Sequence, residues 1–282
     1  MMNEECGVMS EGPKPATPIK TGRGREGGRV EFEPARFEAQ WVDCANARNL
    51  DVTMDLLERS SGEGRFIGIQ GLAGTGRTRS SQRWAAHSRC IHLLMRPTWR
   101  KSPHGFLQAL CRELGMMKPP WGSDACMSEV IERMVVNPRP VFLDEFDLVP
   151  QQLDLVRVLA ELTAAPFVLI GENLAGCMTR NRRVWSRTYH WVEFKPVDTR
   201  EIVSYASKTG GLEITSPAAE ILKRDGGGGD WRNVKRLTIE LVEIANNQRT
   251  RVVSESMARQ AARMILKGQQ TIRRPSDGQA HQ

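Results

Sequence analysis

The hydrophobic rhythm of this chain changes three times between its ends. Residues 1–30 hold few apolar side chains among Gly, Pro, Lys and Glu, too few to offset the entropy of ordering them, and are expected to form a disordered tail. From Pro34 the apolar positions recur at helical spacing. Phe37, Trp41, Cys44 and Ala45 share one face, and a second helix fits Val52–Arg59 with Met54, Leu56 and Leu57 inward. Short apolar runs then alternate with amphipathic ones. Arg65–Gln70, Cys90–Met95, Pro140–Leu143, Pro166–Gly171 and Trp191–Phe194 read as strands, and Ser80–Ser88, Pro103–Leu114, Glu129–Val136 and Leu153–Thr163 as the helices between them. Parallel strands need long crossovers, so this alternation predicts an α/β domain over 31–196 with a parallel, doubly wound sheet. After Pro196 the strand signal stops. Thr199–Lys208, Ser216–Arg224, Trp231–Asn247 and Ser254–Lys267 predict a small all-α domain over 197–268, followed by a flexible polar tail over 269–282.

Composition narrows the class. The 282 residues are 40% hydrophobic and 26% charged, as in globular proteins, and no apolar run approaches the ~18 residues of a membrane span. The N-terminal segment is acidic and lacks an apolar signal core. Cysteines at 6, 44, 90, 111, 126 and 177 form no C-x-x-C pair, which argues against a zinc site or a disulfide framework. A cytoplasmic protein with no membrane partner is expected. The net charge of +7 is unevenly spread: Gly64–Arg112 contains no Asp or Glu but nine Lys and Arg residues. Such a one-sign segment suits a polyanion or a solvated basic face.

Gly71-Leu72-Ala73-Gly74-Thr75-Gly76-Arg77-Thr78 follows an apolar run and precedes a helical one, the setting of a phosphate-binding loop. The glycines let successive backbone N–H groups turn toward phosphate oxygens, the helix Ser80–Ser88 that follows adds its N-terminal dipole, Arg79 joins the nucleotide-binding residues, and Thr78 offers a hydroxyl to magnesium. Arg77 replaces the usual lysine. It keeps the charge on a wide planar fork, so nucleotide binding is the firmer expectation and slow turnover its corollary. Val141–Glu145 (VFLDE) ends a buried-type strand in two carboxylates, at the edge where parallel sheets bind ligands. Asp144 is expected to serve the metal and Glu145 to polarise the attacking water.

Other candidates are less local. The run Phe167–Gly171 exits into Glu172 and Asn173, either of which suits a polar contact to the terminal phosphate, with Asn173 the first candidate. The acid-free segment Thr179–Arg187 offers Arg183 and Arg187 as cations for a neighbouring subunit's site, for DNA phosphates, or for a solvated face. Arg232, opening a helix in Gly229–Arg236, is placed to reach back over the nucleotide. Arg96, Thr98, Trp99, Arg100 and Lys101 combine cations, a hydroxyl and an aromatic ring, a mixture suited to a duplex backbone, although Trp99 equally fits a core.

The order GLAGTGRT, VFLDE, LIGEN, RNRRVWSR and GGDWRNVKR resembles the AAA+ ATPases that assist DNA transposition. The likeness is nearest to the phage Mu B protein family, with Tn7-type and insertion-sequence helper ATPases as wider relatives, and covers about residues 45–250. The resemblance implies ATP and Mg2+ as cofactors and ATP-dependent assembly of the chain with itself into a helical filament or ring. It also implies binding to double-stranded DNA with little sequence preference, and delivery of that DNA to a transposase in a bacterial host carrying a phage or prophage. The loop after the second strand would line the DNA channel, which points to Thr98, Arg100 and Lys101. Arg77 departs from the family pattern, as does the lack of room before the core for the Mu B helix-turn-helix domain. Two other functions fit the same residues: a nucleotide-gated DNA scaffold with little hydrolysis, and a helicase-loader-like protein.

Overall fold

The computed structural model describes residues 32–59, 65–227 and 229–272, with backbone only at 58 and 266–272. The expected tail over 1–30, and residues 273–282 of the tail expected over 269–282, lie outside the described residues. The helices and strands of the described residues all belong to the unit Pro34–Gln282.

Its chain order is α1 (Ala45–Arg59), β1 (Phe66–Gly71), α2 (Arg77–His87), β2 (Ile91–Leu94), α3 (His104–Glu113), α4 (Ser123–Val136), β3 (Val141–Asp144), α5 (Leu153–Thr163), β4 (Phe167–Gly171), α6 (Leu174–Met178), α7 (Arg182–Trp185) and β5 (Thr188–Phe194). The five strands form one parallel sheet in the order β2-β3-β4-β1-β5, with Ile67 opposite Val168 and Ile69 opposite Val192. Alternate side chains leave opposite faces of a strand. Phe66, Leu93, Leu143, Phe167 and Leu169 therefore pack under α3, α4 and α5, whereas Ile67, Ile69, Phe142, Val168 and Val192 pack under α1 and α2. Covering both faces explains the unbroken apolar runs. Gly68 is needed on one face because the ring of Trp191 fills the place of a Cβ there.

The helical part comprises α8 (Thr199–Gly210), β6 (Glu213–Ile214), α9 (Ser216–Asp225), α10 (Trp231–Asn247), β7 (Val252–Val253) and α11 (Glu255–Ile272) around a separate core that includes Ile202, Leu222, Leu237 and Leu241. It is not purely α-helical. β6 and β7 pair in parallel through Glu213–Val252 and Ile214–Val253. Helix α11 also continues to Ile272, four residues into the expected tail.

A larger correction concerns residues 34–44. Instead of a helix they run without regular structure along the helical part. Ala35 exchanges two hydrogen bonds with the Asn246 amide, at 2.7 and 2.9 Å, and Glu38 N donates to Thr209 O at 2.7 Å. These contacts satisfy backbone groups that a helix would have paired internally, so tertiary structure overrides the spacing. The strap reaches α1 where Ala45 N donates to Glu201 of α8 at 2.9 Å. A single helix, Ala45–Arg59, replaces the separate one expected over Val52–Arg59. Strand β5 likewise starts three residues before the expected Trp191.

Candidate nucleotide-binding site

The Gly-rich loop joins β1 to α2 at the C-terminal edge of the sheet. Gly74 and Gly76 take φ values of +83° and +97°, the left-handed region that a side chain resists. No side chain caps α2, so its first N–H groups lack the usual capping acceptor. The loop is held from several sides. Thr75 Oγ1 donates to Leu72 O at 2.8 Å. Buried Asn46 of α1 donates to Thr75 O at 3.2 Å and Lys195 O at 2.8 Å, and accepts from Lys195 N at 3.0 Å. The helical part closes the other side. Trp231 N donates to Gly74 O at 3.0 Å, its indole lies against Gly76, and the Asp230 carboxyl sits where a Cβ of Gly74 would be. Asp230 is the N-cap of α10, accepting from Arg232 N at 2.6 Å, and so the exposed Arg232 is brought beside this loop.

At the end of β3 the Asp144 carboxyl is buried. Its Oδ1 accepts from Glu145 N at 2.9 Å, and its Oδ2 is buried without a hydrogen-bond partner. An orphaned carboxylate oxygen at the sheet edge that carries the Gly-rich loop fits a metal-bound water, because desolvating it unpaired is costly. Among the described residues there is no cluster of three His, Cys, Asp or Glu side chains able to cage a metal. Magnesium tolerates that, being commonly held by one or two protein ligands plus phosphates and water, and the Asp144 carboxylate is of the type it takes. Glu145 is exposed and adopts φ +56°, a strained conformation for a residue with a side chain. Under this edge His92 shares a 3.0 Å hydrogen bond with Ser81 and stacks on Phe142. Burial holds its imidazole pKa below the ordinary value, with nearby Asp144 opposing the shift.

Asp147, which the motif spacing does not single out, organises the next strand. Its Oδ2 accepts from Glu172 N and Asn173 N, each at 3.0 Å, leaving exposed Asn173 at the N-cap of α6. Gln70 of β1 steadies the same region by accepting from Ala175 N at 2.8 Å. Asn46 is likewise absent from any sequence motif. Its partner Lys195 is 149 residues away, a separation that no local pattern reports.

Two expected site residues are engaged within the chain. Trp99, in a 3-10 turn over Pro97–Arg100, is only 7% exposed: its ring packs on Phe106, and its carbonyl accepts from Gln152 Nε2 at 2.7 Å. It is a core anchor and not a DNA contact. Arg96 stacks over that ring at 5.5 Å, while Thr98, Arg100 and Lys101 occupy the turn beside it, Arg100 and Lys101 both exposed. Arg100 Nε donates to the carbonyl of Leu148, just past Glu145. Arg187 is tied within its own chain, to Glu161 at 3.0 Å and to Arg183 O at 2.8 Å. The guanidinium of exposed Arg183 has no ion-pair partner among the described residues.

The Asn46 clamp gives a first test. Asn46→Ala removes three hydrogen bonds from a buried position and leaves Thr75 O and both Lys195 groups to find new partners. At about 1 kcal/mol per bond a loss of some 2–3 kcal/mol is expected, together with weaker nucleotide binding. Denaturant unfolding and nucleotide titration check both, and an unchanged midpoint would remove the clamp.

No protein-family model matches the chain, and no curated protein matches it. Solved structures do. The Aeropyrum pernix ORC2 protein, described in ADPNP–ADP complexes, aligns at TM-score 0.56 and 17% identity over 78% of this chain and 66% of its own. The Aeropyrum pernix ORC1 protein in complex with DNA aligns at 0.52 and 19% over 78% and 64%. Cdc6p from Pyrobaculum aerophilum aligns at 0.59 and 15% over 86% and 73%. The chain spans slightly under two thirds of the two Aeropyrum proteins. This likeness establishes the fold: an AAA+ α/β domain with an attached helical part, in the arrangement of ORC and Cdc6 proteins.

Proposed function

We propose that the protein is an ATP- and Mg2+-dependent AAA+ ATPase that assembles on double-stranded DNA. The observation that carries this reading is the convergence of the Gly74–Gly76 loop, the orphaned Asp144 Oδ2 and the α10 N-terminus on one edge of the sheet. Backbone N–H groups of the loop and Arg77 would hold the phosphates, Thr78 and Asp144 the metal, and Glu145 the attacking water. Asn173 and Arg232 would contact the terminal phosphate from β4 and from the helical part. DNA binding rests on the acid-free segment that carries Arg96, Thr98, Arg100 and Lys101, and on the DNA complex named for one structural neighbour. The finer reading, delivery of target DNA to a transposase in the manner of the Mu B family, rests on the order of the motifs from GLAGTGRT to GGDWRNVKR. Arg77 favours a second reading, a DNA scaffold that barely hydrolyses, because it stands where a compact ammonium is usual.

Co-sedimentation with random-sequence duplex in ATP, ADP and no nucleotide tests the main reading. Large complexes with ATP alone are expected, and binding indifferent to nucleotide would overturn it. Phosphate release measured on those complexes separates enzyme from scaffold. Arg100→Ala combined with Lys101→Ala is expected to weaken the duplex uniformly across sequences. It should also reduce the slope of log affinity against log salt by about two, one for each phosphate that loses its cation. An unchanged slope would take this turn off the DNA surface.

A further inference from the structure

The segment between α3 and α4 displays large apolar side chains to water. Met117 is 96% exposed and Trp121 92% exposed. Hydration of such surface is unfavourable, and a rigid display of it marks a contact site more than a lone exposed residue does. The segment is held at both ends. Gly115 and Gly122 turn the chain at φ +89° and +102°, Cys126 Sγ donates to Pro120 O at 3.2 Å, and Arg133 Nη1 donates to Leu114 O at 3.4 Å. Pro119 and Pro120 stiffen the middle.

Position and charge indicate the occupant. The Trp121 ring meets the His104 ring edge-on at 5.6 Å, and His104 N donates to Ser102 Oγ at 3.2 Å. Ser102 follows Arg100 and Lys101, so the apolar tip lies one ring beyond the basic turn, and Lys118 adds a cation within the tip itself. Glu113 and Asp124 flank the segment outside the tip. Met, Pro and an aromatic ring beside cations are the materials with which proteins enter a minor groove and part a base step.

We propose that Met117–Trp121 is an apolar wedge that enters the minor groove of the duplex held by the Arg100–Lys101 turn and unstacks one base step. This rests on the DNA-binding reading under Proposed function and adds a contact that reads deformability instead of charge. No covalent step is involved.

The test uses the full-length protein with ATP and a duplex carrying 2-aminopurine, whose fluorescence rises on unstacking. Trp121 and Met117 are more than nine-tenths exposed, so Trp121→Ala and Met117→Ala leave the buried core intact, Trp121→Ala losing only the ring contact with His104. The wild type should bind and brighten the probe. Trp121→Ala should lose about tenfold or more in affinity, as stacked bases do on alanine substitution, and lose the fluorescence rise. Its salt slope should stay that of the wild type, because no charge is removed. Wild-type binding without brightening, or a Trp121→Ala protein equal to the wild type in affinity, overturns the wedge and leaves the DNA-binding reading standing. Loss of self-assembly with DNA contact intact would identify the tip as an interface between copies and equally overturn it. Failure of the wild type to bind any duplex overturns both readings.

Discussion

Replacing Glu145 by Gln is expected to lower ATP turnover by about 10²-fold or more while nucleotide and DNA binding persist. A positioned general base contributes roughly 10²–10⁴ to a proton-transfer step, and an amide of the same shape cannot accept the proton. The structure gives the substitution a clean background. Glu145 is exposed, so core packing is untouched, and its backbone N–H, which holds Asp144 Oδ1, is kept. Asp144, the proposed metal ligand, therefore keeps this hydrogen bond while the proposed base is removed. Complexes on DNA should accumulate with ATP and dissociate slowly, as followed by light scattering and phosphate release. Turnover like that of the wild type, or prompt dissociation from DNA in ATP, would take Glu145 out of this role.

Arg183→Ala is expected to be comparably damaging, for a reason that lies in a second molecule. An arginine contributed across a subunit boundary can be worth about 10³ or more in phosphoryl transfer. Of the two candidates, Arg187 would first have to leave Glu161 and the Arg183 carbonyl. An exposed ion pair costs only about 0.2–1 kcal/mol to break, so this alone does not forbid it. Arg183 has no such partner to leave among the described residues, and its neighbour Val184 is buried, which fixes the short helix that presents it. Mixing decides the matter. Arg183→Ala subunits keep Glu145, and Glu145→Gln subunits keep Arg183, so a mixture of two inactive proteins should recover part of the activity at hybrid boundaries. Absence of recovery with both variants able to assemble, or a larger loss in Arg187→Ala, would move the role elsewhere.

The parts of this fold that were legible in the sequence are those set by local physics. β3, β4 and the helix Leu153–Thr163 stand within a residue of their expected bounds, because a strand buried on both faces and an amphipathic helix each write their own period. The placement of the Gly-rich loop between β1 and α2, and of Asp144 at the end of β3, was legible for a similar reason: a tight strand-to-helix turn and a carboxylate at a strand end need fixed residue types at fixed spacing. Asn46, the strap at 34–44 and the burial of Trp99 were not. Each depends on a distant partner, Lys195, Asn246 or Phe106 and Gln152, and an irregular segment that borrows its hydrogen bonds from another element has no period to detect. Asp147 was within reach. It is the third carboxylate of Asp144-Glu145-Phe146-Asp147, and its two backbone partners explain why that cluster does not stop at two.

The hydrogen bond from Arg100 to the Leu148 carbonyl makes the basic turn and the segment after Glu145 parts of one mechanical link. A ligand that pulls on the Arg100 guanidinium competes with that carbonyl. Under the proposed binding of both ligands, linkage runs equally in both directions: whatever factor DNA imposes on nucleotide affinity, nucleotide imposes on DNA affinity. A single measured ratio, taken from either end, therefore fixes the other.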